Sequence, residues 1–181
     1  MTDETVIRYC APTLAALKAG SLFACPHETQ QELCAGVRDL NRRLRGKGLC
    51  VLPMQRRDAN CLVYVCRPAQ LTRDLSAPGA RAILHRCGYP CGQTNACLHL
   101  LRVRLQTQAE FPHEIGLFLG YPPEDVEGFM ARQCAKCVGC WKVYGDVERA
   151  QRLFALYARC TGIYLRQYAQ GRSMERLTVR S

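Results

Sequence analysis

Apolar residues recur along this chain at two spacings, and the spacing changes where the element changes. From Thr29 to about Arg45, Leu33, Val37, Leu40 and Leu44 step by three and four, with Arg38, Asp39, Arg42 and Arg43 mostly on the other face. That period predicts an amphipathic helix, and Gly46 and Gly48 end it. Before it, residues 10–19 read as a short helix holding Leu14 and Leu17, and residues 21–25 as a short strand closed by Pro26. After it, residues 49–55 and 61–66 predict two strands joined by a turn over residues 56–60. The second of these, CLVYVC, is apolar throughout, which is the pattern of a strand covered on both faces and so of a central strand. Strand, helix and hairpin make a β-α-β-β unit.

Beyond Pro68 the period becomes helical, over residues 69–75, 78–86 and 96–107, with GYPCG (residues 88–92) as an interrupting turn. Two short proline-led helices follow, one opened by Phe111-Pro112-His113-Glu114 and ended by Gly120, the other opened by Pro122-Pro123 and reaching about Arg132. Proline suits a first helical turn, and acids placed there complement the helix dipole. Residues 140–144 (CWKVY) predict a further strand. Asp146 then caps the longest helix, whose Val147, Ala150, Phe154, Tyr157, Thr161, Tyr164 and Tyr168 keep one apolar stripe until Gly171. The expected fold class is α+β: a small mixed, partly antiparallel sheet (the β-α-β-β unit plus a later strand) covered by several helices, with a long C-terminal helix. The 181 residues show no repeat and no low-complexity linker, so residues 1–181 are expected to form a single domain.

No stretch approaches the length of a membrane-spanning helix, and residues 1–8 carry two acids and no apolar run, so neither a membrane partner nor secretion is expected. The balance of 25 Lys+Arg against 15 Asp+Glu leaves a net charge of +10, and only four of the basic residues are lysines: Lys18, Lys47, Lys136 and Lys142. Arginine-rich composition follows GC-rich coding as readily as it follows function. No RNP-type, zinc-finger or basic-zipper pattern accompanies the charge, so nucleic acid is not the expected partner; a basic surface for an acidic protein partner is one reading. Thirteen cysteines, an odd number in a chain this long, argue against a bridged secreted scaffold and for a reducing, cytoplasmic setting. Glycine-loop nucleotide motifs, HExxH and GxSxG are absent.

The sharpest motif is Cys134, Cys137 and Cys140, separated by two-residue gaps, with Cys160 further on. Such gaps let successive sulfurs turn back on one centre, Gly139 lets the backbone curl, and Lys136 and Lys142 favour thiolates. The first functional reading is therefore a cysteine-ligated metal protein holding zinc or an iron–sulfur cluster, with a redox, sensing or metal-handling role. The plain alternative is that these thiols pack or are incidental. Cys87, Cys91 and Cys97 near His85 and His99 form a less diagnostic cluster. Cys61 and Cys66 face opposite sides of one strand, and Cys10, Cys25, Cys34 and Cys50 read as isolated packing residues. The second reading is a small enzyme with catalytic His113, Glu114 and Lys142, the last on the Trp141 strand; it predicts a concave pocket joining the proline-led helix to that strand. The third is a regulatory or adaptor module acting through the basic surface.

The string from Phe111 through Pro112-His113-Glu114 to Val126, followed by Gly139-Cys140-Trp141-Lys142-Val143-Tyr144, resembles a bacterial family of unknown function marked by a Pro-His-Glu motif and common in anaerobic, clostridia-like bacteria. Cys10 to Leu14, Ser21 to Phe23 and Gly171 to Thr178 are similar to it as well, so the resemblance spans nearly the whole chain. It implies a cytoplasmic protein of an oxygen-poor host, no established activity, and motif positions at His113, Glu114, Trp141, Lys142 and Tyr144.

Overall fold

The computed structural model describes residues 1–26, 29–57, 60–90 and 92–180. Its sheet has three strands, β1 (Gly20–Pro26), β2 (Cys50–Arg57) and β3 (Asn60–Cys66), in the order β1-β3-β2 and antiparallel throughout. The apolar strand is the central one. Its side chains alternate between two cores: Cys61, Val63 and Val65 enter one, Tyr64 and Cys66 the other. Pro53 is tolerated because β2 is an edge strand, and the register shifts between Pro53 and Gln55. Asp58 and Ala59, in the expected hairpin turn, lie outside the described residues.

Helices cover both faces. The first core lies under α1 (Asp3–Leu14), α2 (Gln30–Leu44), the long α8 (Val147–Ala169) and α9 (Met174–Leu177). The second lies under α3 (Pro68–Ser76), α4 (Pro78–Arg86), α5 (Thr94–Thr107), α6 (Ile115–Phe118) and α7 (Pro123–Met130). Among the described residues no helix is long and apolar enough to cross a membrane.

Two departures from the expected elements have physical causes. The first helix begins at Asp3, not near residue 10: the Thr2 side chain accepts from the Thr5 N–H, Asp3 and Glu4 occupy the first turn, and Val6, Ile7, Cys10, Ala11 and Leu14 form the buried stripe. Leu17 lies beyond that helix and is exposed. The later strand does not join the sheet, which is wholly antiparallel. Instead β4 (Cys137–Val138) and β5 (Lys142–Val143) form a separate two-stranded ribbon, so its backbone partners come from its own hairpin. Trp141, Val143, Ala150 and Tyr157 make a third, small core between ribbon and α8.

Arg67, just past β3, is among the largest fully buried side chains of the described residues. Its guanidinium donates to the carbonyls of Thr13 (2.7 Å), Leu14 (2.7 Å), Val179 (2.7 Å) and Lys47 (3.2 Å). A cation at the C-terminal end of α1 meets the carbonyls a helix leaves unpaired and the negative end of its dipole. One side chain thus ties together α1, the turn before β2 and the C-terminal segment.

Candidate functional site

The proline-led helices and the Trp141 ribbon are joined by one carboxylate. Asp125, in the first turn of α7, is 3% exposed. Its Oδ2 accepts from Trp141 Nε1 (2.7 Å), and its Oδ1 accepts from the backbone N–H groups of Tyr144 (2.7 Å) and Gly145 (2.8 Å). A buried carboxylate is tolerated when donors surround it, and here all three come from the ribbon side. Close approach needs bare backbone at two positions: a Cβ on Gly128 would lie 2.5 Å from the Tyr144 ring, and one on Gly116 would lie 2.7 Å from Val126 Cγ2.

Between these elements opens a pocket of about 380 Å³. Its walls include Phe111, Ile115, Leu119, Tyr121, Phe129 and Trp141, and its polar lining is His113, Asp125, Cys140 and Lys142. Tyr121 stacks on Trp141 with centroids 4.8 Å apart, and Phe154 meets the indole edge-on at 4.5 Å from behind. Both rings therefore hold Trp141 in one orientation. His113 meets Phe129 edge-on at 4.9 Å, and Lys142 Nζ lies 5.5 Å from the centroid of the same ring. Both are exposed, so an imidazole and an amine stand at the rim of an apolar cavity. Lys18, half-buried in the loop after α1, sits 5.7 Å from the centroids of Tyr121 and Tyr157. Burial pushes its amine's pKa down, while the Cys10 and Cys140 thiols pull the other way.

The structure thus brings His113 and Lys142 together around Phe129 but sends Glu114 elsewhere. Glu114 is buried, accepts from Arg104 Nη1 (2.6 Å) and from the Tyr89 hydroxyl (2.9 Å), and does not line the pocket. Arg104 also stacks over the Tyr89 ring at 4.5 Å and donates to the Cys87 carbonyl. Burial, with Glu114 beside it, pushes the Tyr89 phenol up. The two neighbours in the Pro-His-Glu string therefore have separate jobs: His113 faces the pocket, and Glu114 anchors the loop to α5.

The four predicted metal ligands are not gathered. Cys134 and Cys140 are exposed, Cys137 packs against the Trp141 cluster, and Cys160 belongs to the first core beside α1. Among the described residues no group of three or more His, Cys, Asp or Glu could hold a metal ion. The physical reason is that the residues between Cys137 and Cys140 form the bend of a hairpin, with Gly139 N–H bonded to the Trp141 carbonyl, instead of a loop curling round one centre. In the second cysteine cluster, Cys97 Sγ donates to the Pro90 carbonyl (3.2 Å), His85 and His99 are exposed, and Cys91 lies outside the described residues.

Sequence reasoning missed Tyr121, Phe129 and the role of Asp125. Asp125 and Phe129 do carry a signal, since an i,i+4 pair shares one helix face. Tyr121 carries none, because its stacking partner lies across a loop.

Fold and site define an α+β domain with a two-faced antiparallel sheet and an aromatic-walled pocket beside it. Residues 6–178 match the family described as "Protein of unknown function (DUF3793)", and the chain belongs to that family. Neither a curated protein nor a solved structure matches it.

Proposed function

We propose that this protein binds a small, planar, largely apolar molecule bearing an anionic group, and that the pocket beside Trp141 is its site. The observation that carries this reading is the pocket's composition. Aromatic and aliphatic side chains form its walls, its one carboxylate is taken up by three N–H donors, and Lys142 and His113 stand at its mouth. An apolar ring system would be held by Trp141, Tyr121 and Phe129, and an acidic substituent by Lys142, with His113 as a second donor. His113 is the residue best placed for proton transfer to such a ligand, but Glu114 is not there to orient it. Cys140 supplies a thiol to the same lining.

Trp141 is the only tryptophan, so its fluorescence reports on this pocket alone. The test is a titration with anilinonaphthalene sulfonate, an aromatic anion, and with its neutral relative phenylnaphthylamine. Saturable quenching of Trp141 at one site per chain is expected with both dyes. Replacing Lys142→Met weakens the sulfonate by about fivefold, as for a partly exposed charge contact, and the neutral dye by less than about twofold. Absence of saturable quenching, or equal weakening of both dyes, contradicts the reading.

A further inference from the structure

Two of the cysteines that sequence spacing treats as isolated, Cys25 and Cys50, are each set opposite another cysteine by the sheet. β1 sets Cys25 opposite Cys61, and β2 sets Cys50 opposite Cys66. Because alternate residues of β3 face opposite sides, the two pairs lie on different faces. Their surroundings differ. Cys25 and Cys61 are buried in the first core, each thiol donates to a backbone carbonyl (Pro26 at 3.4 Å, Leu62 at 3.5 Å), and burial pushes both up. Cys66 is fully buried, but Cys50 is half-buried and lines an open cleft of about 830 Å³.

That cleft is cationic. Arg45, Arg67 and Arg73 line it, and among the described residues no Asp or Glu does. Arg67 is held inside by four backbone carbonyls, so its charge is fixed there without a carboxylate to cancel it. Arg45 and Arg73 are exposed. The Cys66 thiol opposite holds Cys50 below the ordinary thiol range, against its own burial and with help from Arg45; the Cys50 thiol and burial push Cys66 up.

We propose that Cys50 and Cys66 form a thiol–disulfide exchange pair whose substrates are small disulfides carrying carboxylates, drawn into the cleft by Arg45, Arg67 and Arg73. Cys50 thiolate attacks one sulfur of the disulfide, and the other half leaves as a thiolate. The Cys66 thiol gives its proton to that leaving group and attacks Cys50 Sγ, which expels the second half and leaves a Cys50–Cys66 disulfide. Two protein thiols are oxidised and one external disulfide is reduced to two thiols. Geometry permits the product: directly opposed residues of an antiparallel pair have Cα atoms about 4.5–5.5 Å apart, inside the range of about 4.4–6.8 Å that a disulfide spans. The anionic-substrate preference follows from a cleft lined by one sign of charge.

The experiment exposes the reduced, folded protein to oxidised glutathione, an anionic disulfide, or to cystamine, a cationic one, and maps the products by mass spectrometry of peptides. In the wild type, oxidised glutathione is expected to give a Cys50–Cys66 link while Cys25 and Cys61 stay reduced. In Cys66→Ala, a single glutathione is expected to accumulate on Cys50. Reaction at Cys50 should be roughly tenfold faster with oxidised glutathione than with cystamine, and Arg45→Met with Arg73→Met should remove most of that preference. The wild-type link is scored without any variant, so a misfolded Cys66→Ala chain leaves the test intact. Cys50 reacting no faster than Cys25, glutathione on Cys50 never resolved by Cys66 in the wild type, or a preference for cystamine each overturns the proposal.

Discussion

The pocket beside Trp141 and the cleft beside Cys50 are built by opposite means. In the pocket, rings make the walls, and the buried carboxylate, Asp125, is taken up by the N–H groups of Trp141, Tyr144 and Gly145. In the cleft, a buried arginine is taken up by the carbonyls of Thr13, Leu14, Val179 and Lys47. Both buried charges serve architecture. The difference lies in what is left over. A carboxylate accepting three N–H bonds adds little negative field to an apolar pocket whose rim is basic. A guanidinium facing only neutral carbonyls keeps its full positive charge beside two further arginines. Three arginines thus line one cleft with no carboxylate among its described lining residues, while the aromatic pocket has rings for walls and the Lys142 amine at its edge.

The change expected to break this comparison most strongly is Asp125→Ala. It strands three N–H groups and unpins the ribbon, at a cost of about 3 kcal/mol or more. Urea unfolding followed by Trp141 fluorescence measures the loss. Dye binding at the pocket should vanish under conditions where the variant remains folded, while Cys50 reactivity is unchanged. Parallel loss of both would mean that the two regions are not independent.

The next effect separates two adjacent residues. Glu114→Ala removes the buried carboxylate that half-buried Arg104 and the Tyr89 hydroxyl donate to, and should cost about 2 kcal/mol. His113→Ala touches only a rim contact with Phe129 and should cost under about 0.5 kcal/mol while weakening dye binding. Circular-dichroism melts of both variants read this difference, and equal destabilisation would merge the two roles.

The smallest effect lies away from both concavities. Arg43 pairs with Asp3, Asp39 (3.2 Å) and Glu175, joining α1, α2 and α9. Burial raises the Glu175 carboxyl, but the Arg43 hydrogen bond and charge outweigh it, so the folded pKa lies below the ordinary value of 4.5. A carboxyl depressed by folding contributes its stabilisation fully above that ordinary value and loses it as pH falls through the folded one. For a half-exposed pair the loss should stay under about 1 kcal/mol. Urea unfolding of wild type and Glu175→Gln from about pH 6 down to about pH 3 should show the two curves converge in acid.

Much of the fold was legible because period carries it. The all-apolar β3, the α2 stripe over Leu33, Val37, Leu40 and Leu44, and the Asp146-capped α8 all appear where spacing and caps put them. The ribbon was half legible: alternation shows that residues 140–144 are extended but not which strand they pair with. Adjacent motif residues were not separable at all, since one backbone turn decides that His113 faces outward and Glu114 inward. Cysteine spacing was the poorest guide. Short gaps at Cys134, Cys137 and Cys140 span a hairpin bend, whereas Cys50 and Cys66, far apart in sequence, are opposed by a strand register that the shift at Pro53 and Gln55 helps set.

The most direct test of the pocket is the proton–nitrogen spectrum of the single indole N–H. Trp141 Nε1 is bonded to Asp125, and its ring lines the cavity. On titrating anilinonaphthalene sulfonate, the indole peak is predicted to move in a saturable manner, together with the backbone peaks of Gly116, Phe129 and Lys142 and apart from those of Cys50 and Arg73. An indole peak that stays in place while the dye binds elsewhere would contradict the assignment of this pocket as the ligand site.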